Sequence, residues 1–247
     1  MKRVFVLFIG MVLMSFGLSF AGEGAHWGYS GHGGPEHWGE LSKDYAICGS
    51  GKNQSPINLT GMIEADLEPI QIDYKNVSLD VENNGHTIKV SYSEGSTIKI
   101  EGRTFKLVQF HFHTPSENHI EGKSFPMEAH LVHADKDGNL AVIGVMFEEG
   151  KANSSIEEIW KRMPAEAGNK SVASDVSVNV MKMLPENKDY YRFDGSLTTP
   201  PCTEGVRWFV MKNPVEASKE QIEKYGHVMH HDTNRPVQPV NARPVLK

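Results

Sequence analysis

Apolar and polar residues alternate along most of the chain in short runs, and each run ends at a turn signal. Residues 86–92 alternate directly after Asn83-Asn84-Gly85, and a turn at residues 135–138 separates two later runs. Side chains of a β-strand point alternately to its two faces, so this pattern is typical of half-buried strands. The predicted strands are residues 86–92, 96–100, 104–113, 127–133 and 140–147.

Two segments have apolar residues at helical spacing instead. The first begins at Ser154 or Ser155 and ends before Pro164, and the second begins near Ser218, where Gln221 can complete a capping box. The apolar stripes are Ile156, Ile159, Trp160 and Met163 in the first helix and Ile222, Tyr225 and Met229 in the second. Because no linker interrupts the strand-rich middle, we expect a single, mostly β domain with short peripheral helices.

The first 21 residues differ from the rest of the chain. Lys2 and Arg3 precede an apolar run over residues 4–20, and small residues stand at Ser19 and Ala21. This is the pattern of a secretory signal peptide that is cleaved after Ala21, leaving a mature domain of residues 22–247. An uncleaved membrane anchor is the alternative, but the run is at the short limit for a membrane span. The protein is therefore predicted to be exported to the periplasm or the medium, without an anchor after cleavage.

The net charge limits the classes of partner. Cleavage would remove Lys2 and Arg3, which takes the formal net charge from −6 to −8. A moderately acidic surface argues against nucleic acid and anionic membranes as partners. The oligomeric state stays open, with a homodimer among the alternatives.

The predicted export bears on the oxidation state of the two cysteines. In an oxidising compartment Cys48 and Cys202 most simply form one disulfide, and two free buried thiols are the alternative. The chain-entropy estimate for so long a loop is about 5 kcal/mol, which is an upper figure.

Two histidines lie one residue apart on a predicted strand. Strand alternation places Gln109, His111 and His113 on one face. The opposite face carries Val108, Phe110 and Phe112, which we expect in the core. Two imidazoles on one face can bind one metal ion, but they need a third ligand, and such a pair alone is also common in structural roles.

The strand at residues 127–133 offers that third ligand. His130 and His133 are three residues apart, so they face opposite ways, and only one can join the pair. Parity favours His130, which shares its face with Glu128 and Val132, and leaves His133 a structural residue. Gln109 and Glu128 each lie two residues before a predicted ligand, where they can accept the hydrogen bond that orients its ring. Three histidines with an open fourth position are typical of catalytic zinc, and without cysteine or carboxylate ligands zinc is the favoured ion.

Eight motifs, in order, match one known family. They are residues 26–29 (HWGY), 53–58 (NQSPIN), 83–86 (NNGH), 109–113 (QFHFH), 128–132 (EAHLV), 195–202 (GSLTTPPC), 206–208 (VRW) and 234–236 (NRP). On these motifs the chain resembles the α-class carbonic anhydrases, most closely the exported bacterial members. The resemblance implies a large twisted, mainly antiparallel sheet with zinc at the bottom of a conical cleft. It also implies reversible hydration of CO₂ to bicarbonate and a proton, by attack of zinc-bound hydroxide.

The resemblance assigns roles residue by residue. It implies zinc ligands at His111, His113 and His130, and a hydroxide-orienting pair at Thr198 and Glu117. It implies a proton shuttle at His86. It also implies a Cys48–Cys202 disulfide that would anchor the loop carrying Thr198. The implied CO₂ pocket consists of Val132, Val142, Leu197, Val206 and Trp208, with Thr199 beside it as a bicarbonate contact. Six histidines have no family role and are expected to be exposed: His32, His37, His119, His227, His230 and His231.

Two other classes of protein share parts of this pattern. The spacing of His111, His113 and Glu117 resembles the metal motif of cupins, in which Glu117 would be a ligand, but the second cupin motif is missing. A zinc-storing protein or a carbonic-anhydrase-like binding module is the non-enzyme alternative. Such modules typically lack ligands, whereas here all three are present.

Overall fold

The computed structural model describes residues 25–247, so the predicted signal peptide lies outside the described residues. The strands are β1 (Asn58–Leu59), β2 (Gln71–Asp73), β3 (Val77–Asn83), β4 (Ile88–Ser91), β5 (Thr97–Ile100), β6 (Arg103–His113), β7 (His119–Ile120), β8 (Met127–Ala134), β9 (Leu140–Glu149), β10 (Lys170–Val178), β11 (Tyr190–Ser196), β12 (Glu204–Met211) and β13 (Val215–Ala217). The α-helices are α1 (Trp38–Leu41), α2 (Ile47–Ser50), α3 (Ser154–Trp160) and α4 (Lys219–Met229). Short 3₁₀ turns occupy Gly31–Gly33, Lys43–Tyr45 and Val180–Met183.

One large sheet dominates the molecule, as the sequence predicts. It has 11 strands, and its main path runs β10-β3-β4-β6-β8-β9-β12-β11. Neighbouring strands pair antiparallel except where β9 pairs parallel with β12 and with β13. The mostly β fold is confirmed. Among residues 25–247, no helix is both long and apolar enough to cross a membrane.

The turn before β4 is built by side chains that the sequence pattern identified. The side-chain oxygen of Asn84 accepts hydrogen bonds from the backbone N–H groups of His86 and Thr87. Gly85 has φ 84°, a backbone conformation that favours glycine. The turn displaces the strand start from the predicted residue 86 to Ile88.

The two predicted helices form, with one change of cap. Helix α4 has the predicted capping box between Ser218 and Gln221. Helix α3 is capped by Asn153, whose side chain accepts hydrogen bonds from the N–H groups of Ser155 and Ile156. The prediction of Ser154 or Ser155 as the cap was wrong, because Asn153 is equally suited to the position and comes first along the chain.

Val108 does not lie in the core, contrary to the strand alternation. Its side chain is 48% exposed, whereas Phe110 and Phe112 are fully buried as predicted. The β6–β8 register shifts between Leu107 and Gln109, which is a β-bulge. The extra residue changes the parity of the strand there, so Leu107 replaces Val108 on the core face.

Three apolar clusters, one of which contains a disulfide, hold the sheet and its surroundings together. The largest cluster contains Phe110 and Phe112 together with Trp160 of α3 and Tyr225 of α4. The second cluster surrounds Trp208. Cys48 and Cys202, in the third cluster, form the predicted disulfide, with Cα atoms 5.1 Å apart, and no free cysteine occurs in the described part of the chain.

Candidate metal centre

The register of the central strands brings the three predicted ligands together. His111 on β6 lies directly opposite His130 on β8, and His113 lies opposite Glu128. One nitrogen of each of His111, His113 and His130 lies within 4.8 Å of the others. This distance is short enough for all three nitrogens to bind a single ion.

The second nitrogen of each ring faces a group that orients it. His111 Nδ1 lies 2.8 Å from Gln109 Oε1, and His113 Nδ1 donates to the Thr233 carbonyl. His130 Nε2 lies 3.0 Å from Glu128 Oε1, although the two atoms are not aligned as a hydrogen bond. The nitrogens left for an ion are therefore Nε2 of His111, Nε2 of His113 and Nδ1 of His130.

Thr233 is a functional contact that sequence reasoning missed. The contact to His113 is made by the backbone carbonyl of Thr233, so no side-chain pattern could identify this residue. Thr233 is also 120 positions from His113 along the chain. Its hydroxyl also accepts a hydrogen bond from the Thr114 N–H at 3.1 Å. The segment that carries Thr233 is therefore fixed next to the end of β6.

Burial keeps the imidazoles in the form that binds metal. It lowers the pKa of His111 and His130 well below 6.5, and it lowers the pKa of His113 despite the opposing effects of the Thr233 carbonyl and Glu128. Metal binding requires the neutral ring. His113 Nε2 is buried without a hydrogen-bond partner among the described residues. Neutral, oriented donors and an unpartnered nitrogen fit a zinc ion.

Three hydrogen bonds hold the Glu128 carboxylate next to the His130 ring. The carboxylate accepts from the N–H groups of Glu117 and Asn118, at 2.9 and 2.8 Å, and from the Asn118 side chain at 2.9 Å. Burial raises its pKa to about 6, while these three hydrogen bonds oppose the rise. The hydrogen bonds determine the position of Glu128 and thus of the oxygen that faces His130.

Glu117 is fully buried beside the three imidazoles. Its Oε1 accepts a hydrogen bond from the backbone N–H of Arg235 at 2.8 Å. Its Oε2 lies 3.5 Å from His113 Nε2 and 3.7 Å from His130 Nδ1. Burial raises its pKa well above 4.5, and contacts with the Arg235 N–H and the Thr198 hydroxyl oppose the rise. Sequence reasoning identified Glu117 but missed Arg235, whose contribution to this contact is again a backbone group.

Thr198 is buried at the start of a loop that the disulfide anchors. Thr198 is 5% exposed, and the carbonyl of Thr199 accepts a hydrogen bond from the Cys202 N–H at 2.8 Å. Cys202 in turn is bonded to Cys48. The Thr198 loop is therefore joined covalently to the N-terminal part of the domain.

The residues of the predicted CO₂ pocket belong to one apolar cluster. The ring of Trp208 lies 4.8 Å from the ring of His130, edge to face. Val142, Val206 and Trp208 are buried, and Val132 and Leu197 are partly buried against them. An apolar wall thus lies directly beside the metal-binding rings.

His86 and Thr199 line the same cleft as the imidazoles. The cleft holds about 150 Å³, and its lining includes His86, His111, His113 and Thr199. His86 is half-buried and stacks on Trp27, with ring centroids 3.8 Å apart and an angle of 9° between the planes. Burial, and the neighbouring His26 and His231, lower its pKa.

The remaining histidines lie outside this arrangement. His133 is on the core face, where Nε2 lies 2.8 Å from the Tyr74 hydroxyl and Nδ1 lies 3.2 Å from the Ala141 carbonyl. Its structural assignment agrees with these contacts. The prediction of exposure is right for His32, His227, His230 and His231 but wrong for His37 and His119, which are partly buried. His37 immediately precedes α1, and His119 lies on β7, which pairs with β1.

Comparison with known proteins defines the class to which this fold and site belong. The family model described as eukaryotic-type carbonic anhydrase matches residues 33–247, and the chain belongs to this alpha carbonic anhydrase family. The chain is 49% identical over 228 residues to a carbonic anhydrase of Pectobacterium carotovorum, a match that covers 92% of each protein. The predicted family and enzyme class are confirmed, which removes the cupin alternative.

Two solved structures share the fold. The alpha-carbonic anhydrase from Thermovibrio ammonificans, in complex with the inhibitor sulfanilamide, is 54% identical with a TM-score of 0.87, and the match covers 91% of this chain and 100% of that one. A hyperthermostable carbonic anhydrase from an active hydrothermal vent chimney is 57% identical with a TM-score of 0.87, covering 90% of this chain and 99% of that one.

Proposed function

We propose that the protein is a zinc-dependent carbonic anhydrase that interconverts CO₂ and bicarbonate, with His111, His113 and His130 as its zinc ligands. The observation that carries the proposal is the set of three neutral imidazoles whose free nitrogens lie within 4.8 Å of one another. Gln109 orients the His111 ring through a contact of 2.8 Å, and the Glu128 carboxylate lies 3.0 Å from Nε2 of His130, where it can orient that ring. A zinc ion there lowers the pKa of a bound water to about 7 and so supplies a nucleophile at neutral pH; carbonic anhydrase is the standard example of this effect.

Thr198 and Glu117 orient the nucleophile in this proposal. Thr198 accepts a hydrogen bond from the attacking oxygen, which leaves its own hydroxyl proton to be donated to Glu117. The direction depends on Glu117 being ionised. Burial opposes that form, whereas the Arg235 N–H at 2.8 Å and the positive charge of a zinc ion bound by the neighbouring imidazoles would favour it. A fixed chain of hydrogen bonds aims a lone pair at CO₂ without reorganisation during the reaction.

The apolar wall beside His130 binds CO₂. The substrate is uncharged and apolar, and the cluster around Trp208 consists mainly of aliphatic and aromatic side chains. Val132, Val142, Leu197 and Val206 form the remainder of the wall. Thr199, which lines the cleft with His111 and His113, contacts bicarbonate.

His86 carries the proton out of the cleft. Each hydration releases a proton, and an imidazole can accept and release it near neutral pH. His86 shares the cleft with His111 and is half-buried, so it can contact both the water in the cleft and the solvent.

Export and cleavage after Ala21 complete the proposal. The Cys48–Cys202 disulfide supports export, because such bonds persist in oxidising compartments. The mature chain of residues 22–247 would then act in the periplasm or the medium on CO₂ and bicarbonate.

Hydration of CO₂ by the mature chain tests the proposal. The rate should be high in the purified protein, fall to the uncatalysed rate after chelation, and return when zinc is added. Unchanged activity after complete removal of metal would contradict the proposal. Full zinc occupancy without hydration would favour a zinc-binding module instead.

A further inference from the structure

One residue places a full charge inside the cleft. Of the described residues that line it, Lys89 is the only lysine, arginine, aspartate or glutamate. The other residues of the lining have aromatic, hydroxyl, amide or imidazole side chains. The protein as a whole has a formal net charge of −6, so the positive side chain of Lys89 has the opposite sign to the net charge.

The strand register puts Lys89 in one row with two of the metal-binding rings. Lys89 on β4 lies opposite His111 on β6, which lies opposite His130 on β8. Residues directly opposite one another on antiparallel strands share a face, with Cβ atoms about 5 Å apart. Lys89 and His111 both line the cleft, so the ammonium group and the imidazole face the same space.

Glu82 partly neutralises this charge from the next strand. Glu82 on β3 lies opposite Lys89, and its Oε2 is 2.9 Å from the Lys89 Nζ. Both side chains are 31% exposed, so water screens the pair and neither charge is fully cancelled. Glu82 and Lys89 thus form a dipole whose positive end is towards the cleft.

The two substrates of the proposed reaction differ in charge. CO₂ is neutral, whereas bicarbonate is an anion, so a positive charge in the cleft favours bicarbonate over CO₂. We propose that Lys89 strengthens the binding of bicarbonate and other small monovalent anions in the cleft, and that Glu82 limits this effect. The inference rests on the proposed function, since it assigns a specificity-determining residue to that reaction.

The size of the effect follows from Coulomb's law. A unit charge about 7 Å from a bound anion, at an effective dielectric constant of about 40 to 80, changes the anion's Kd by about three- to eightfold. The equilibrium constant of the overall reaction fixes the ratio of kcat/KM in the two directions. Lys89 cannot alter that ratio, and its effect must therefore be measured as anion affinity.

Four single variants of the zinc-loaded protein test the inference. Lys89→Met removes the charge and keeps the apolar stem, and Lys89→Arg keeps the charge. Glu82→Gln removes the opposing charge. Lys106→Met is the matched control, because Lys106 lies on β6, outside the cleft lining, with its side chain 65% exposed.

Each variant is titrated with thiocyanate by calorimetry at low ionic strength and about pH 6. At this pH the water that the anion displaces from the zinc site would be neutral, so the anion does not compete with hydroxide. Inhibition of CO₂ hydration by bicarbonate provides a second measurement. The Kd of Lys89→Met should rise about three- to eightfold, whereas that of Glu82→Gln should fall. Lys89→Arg and Lys106→Met should match the parent. About 0.5 M of a salt whose anion does not compete should reduce the differences.

An unchanged Kd in Lys89→Met would overturn the inference. So would a rise in both Lys89→Met and Glu82→Gln, because a purely structural role of the pair would weaken binding in either case. CO₂ hydration by the parent is measured separately. An inactive parent would refute the proposed function, while the thiocyanate titrations would still test the charge on Lys89.

Discussion

Replacing His130 or His133 by alanine separates metal binding from stability. The two residues lie three positions apart on β8 and are both almost fully buried. His130 faces the other two metal-binding rings, whereas His133 faces Tyr74 and Ala141 in the core. His130→Ala should therefore lose zinc and activity together, and His133→Ala should keep zinc but unfold more easily.

The structure sets the size of both effects. His133→Ala removes the contacts of the ring with the Tyr74 hydroxyl and the Ala141 carbonyl and opens a cavity, which together destabilise the protein by about 3 to 5 kcal/mol. For a domain of this length, that corresponds to a fall in Tm of about 6 to 20 °C. His130→Ala leaves two ligands. Its zinc affinity should fall by more than the roughly 10- to 100-fold expected from disturbing only a ligand's hydrogen-bond partner.

Zinc content after equilibrium with a competing chelator measures the first effect. Thermal unfolding of the metal-free variants measures the second without a contribution from bound zinc. Equal zinc loss in the two variants would refute the assignment of faces on β8. An unchanged Tm in metal-free His133→Ala would refute the structural role of His133.

Further variants and conditions test the other parts of the site. Thr198→Ala should keep zinc but lower kcat/KM for CO₂ hydration by about 10- to 1000-fold, and an unchanged kcat/KM would remove Thr198 from the mechanism. Reduction of the Cys48–Cys202 disulfide should lower the Tm and, because the bridge anchors the Thr198 loop, the activity; two reactive thiols in the untreated protein would contradict the bridge. His86→Ala should lower kcat in dilute buffer and leave kcat/KM nearly unchanged, and added imidazole should restore kcat; equal kcat in the two proteins would exclude His86 as the principal shuttle. Burial lowers the pKa of His133 to about 4, so the unfolded chain takes up this proton first as the pH falls. Stability should be complete above about pH 6.5 and should decrease by about 3 kcal/mol towards pH 4, and a His133→Gln variant with the same pH dependence would refute this cause.

Strand alternation was sufficient to select the candidate ligands from the sequence. The period of two along β6 and β8 places His111 and His113 on one face and excludes His133. The predictions of Gln109 and Glu128 as ring-orienting partners rest on the same period, and both side chains lie at those rings. Local periodicity is informative here because the central strands are long and regular over these residues.

The same rule failed where the strand is irregular. The bulge between Leu107 and Gln109 reverses the parity, so Val108 is exposed. A bulge depends on how β6 pairs with β8, and that pairing is not encoded in the alternation of one strand. The cap of α3 was misplaced for a related reason, since three adjacent residues, Asn153, Ser154 and Ser155, can each act as a cap.

Contacts made by backbone groups could not be predicted from sequence patterns. The Thr233 carbonyl orients His113, and the Arg235 N–H binds Glu117. Both groups are common to almost every residue, and both lie more than 100 positions from the side chain they contact. The position of Lys89 was likewise evident only from the β4–β6 register. Tertiary pairing, and not local chemistry, brings these groups to the site.

Stepwise addition of zinc to the metal-free mature chain, with CO₂ hydration measured at each step, tests the proposed zinc enzyme most directly. If His111, His113 and His130 hold the catalytic ion, the rate should rise in proportion to the added zinc and level off at about one equivalent per chain. Parallel titration of His130→Ala should show no such rise. Hydration that is already complete before zinc is added, or that rises equally in His130→Ala, would contradict a catalytic zinc bound by these three histidines.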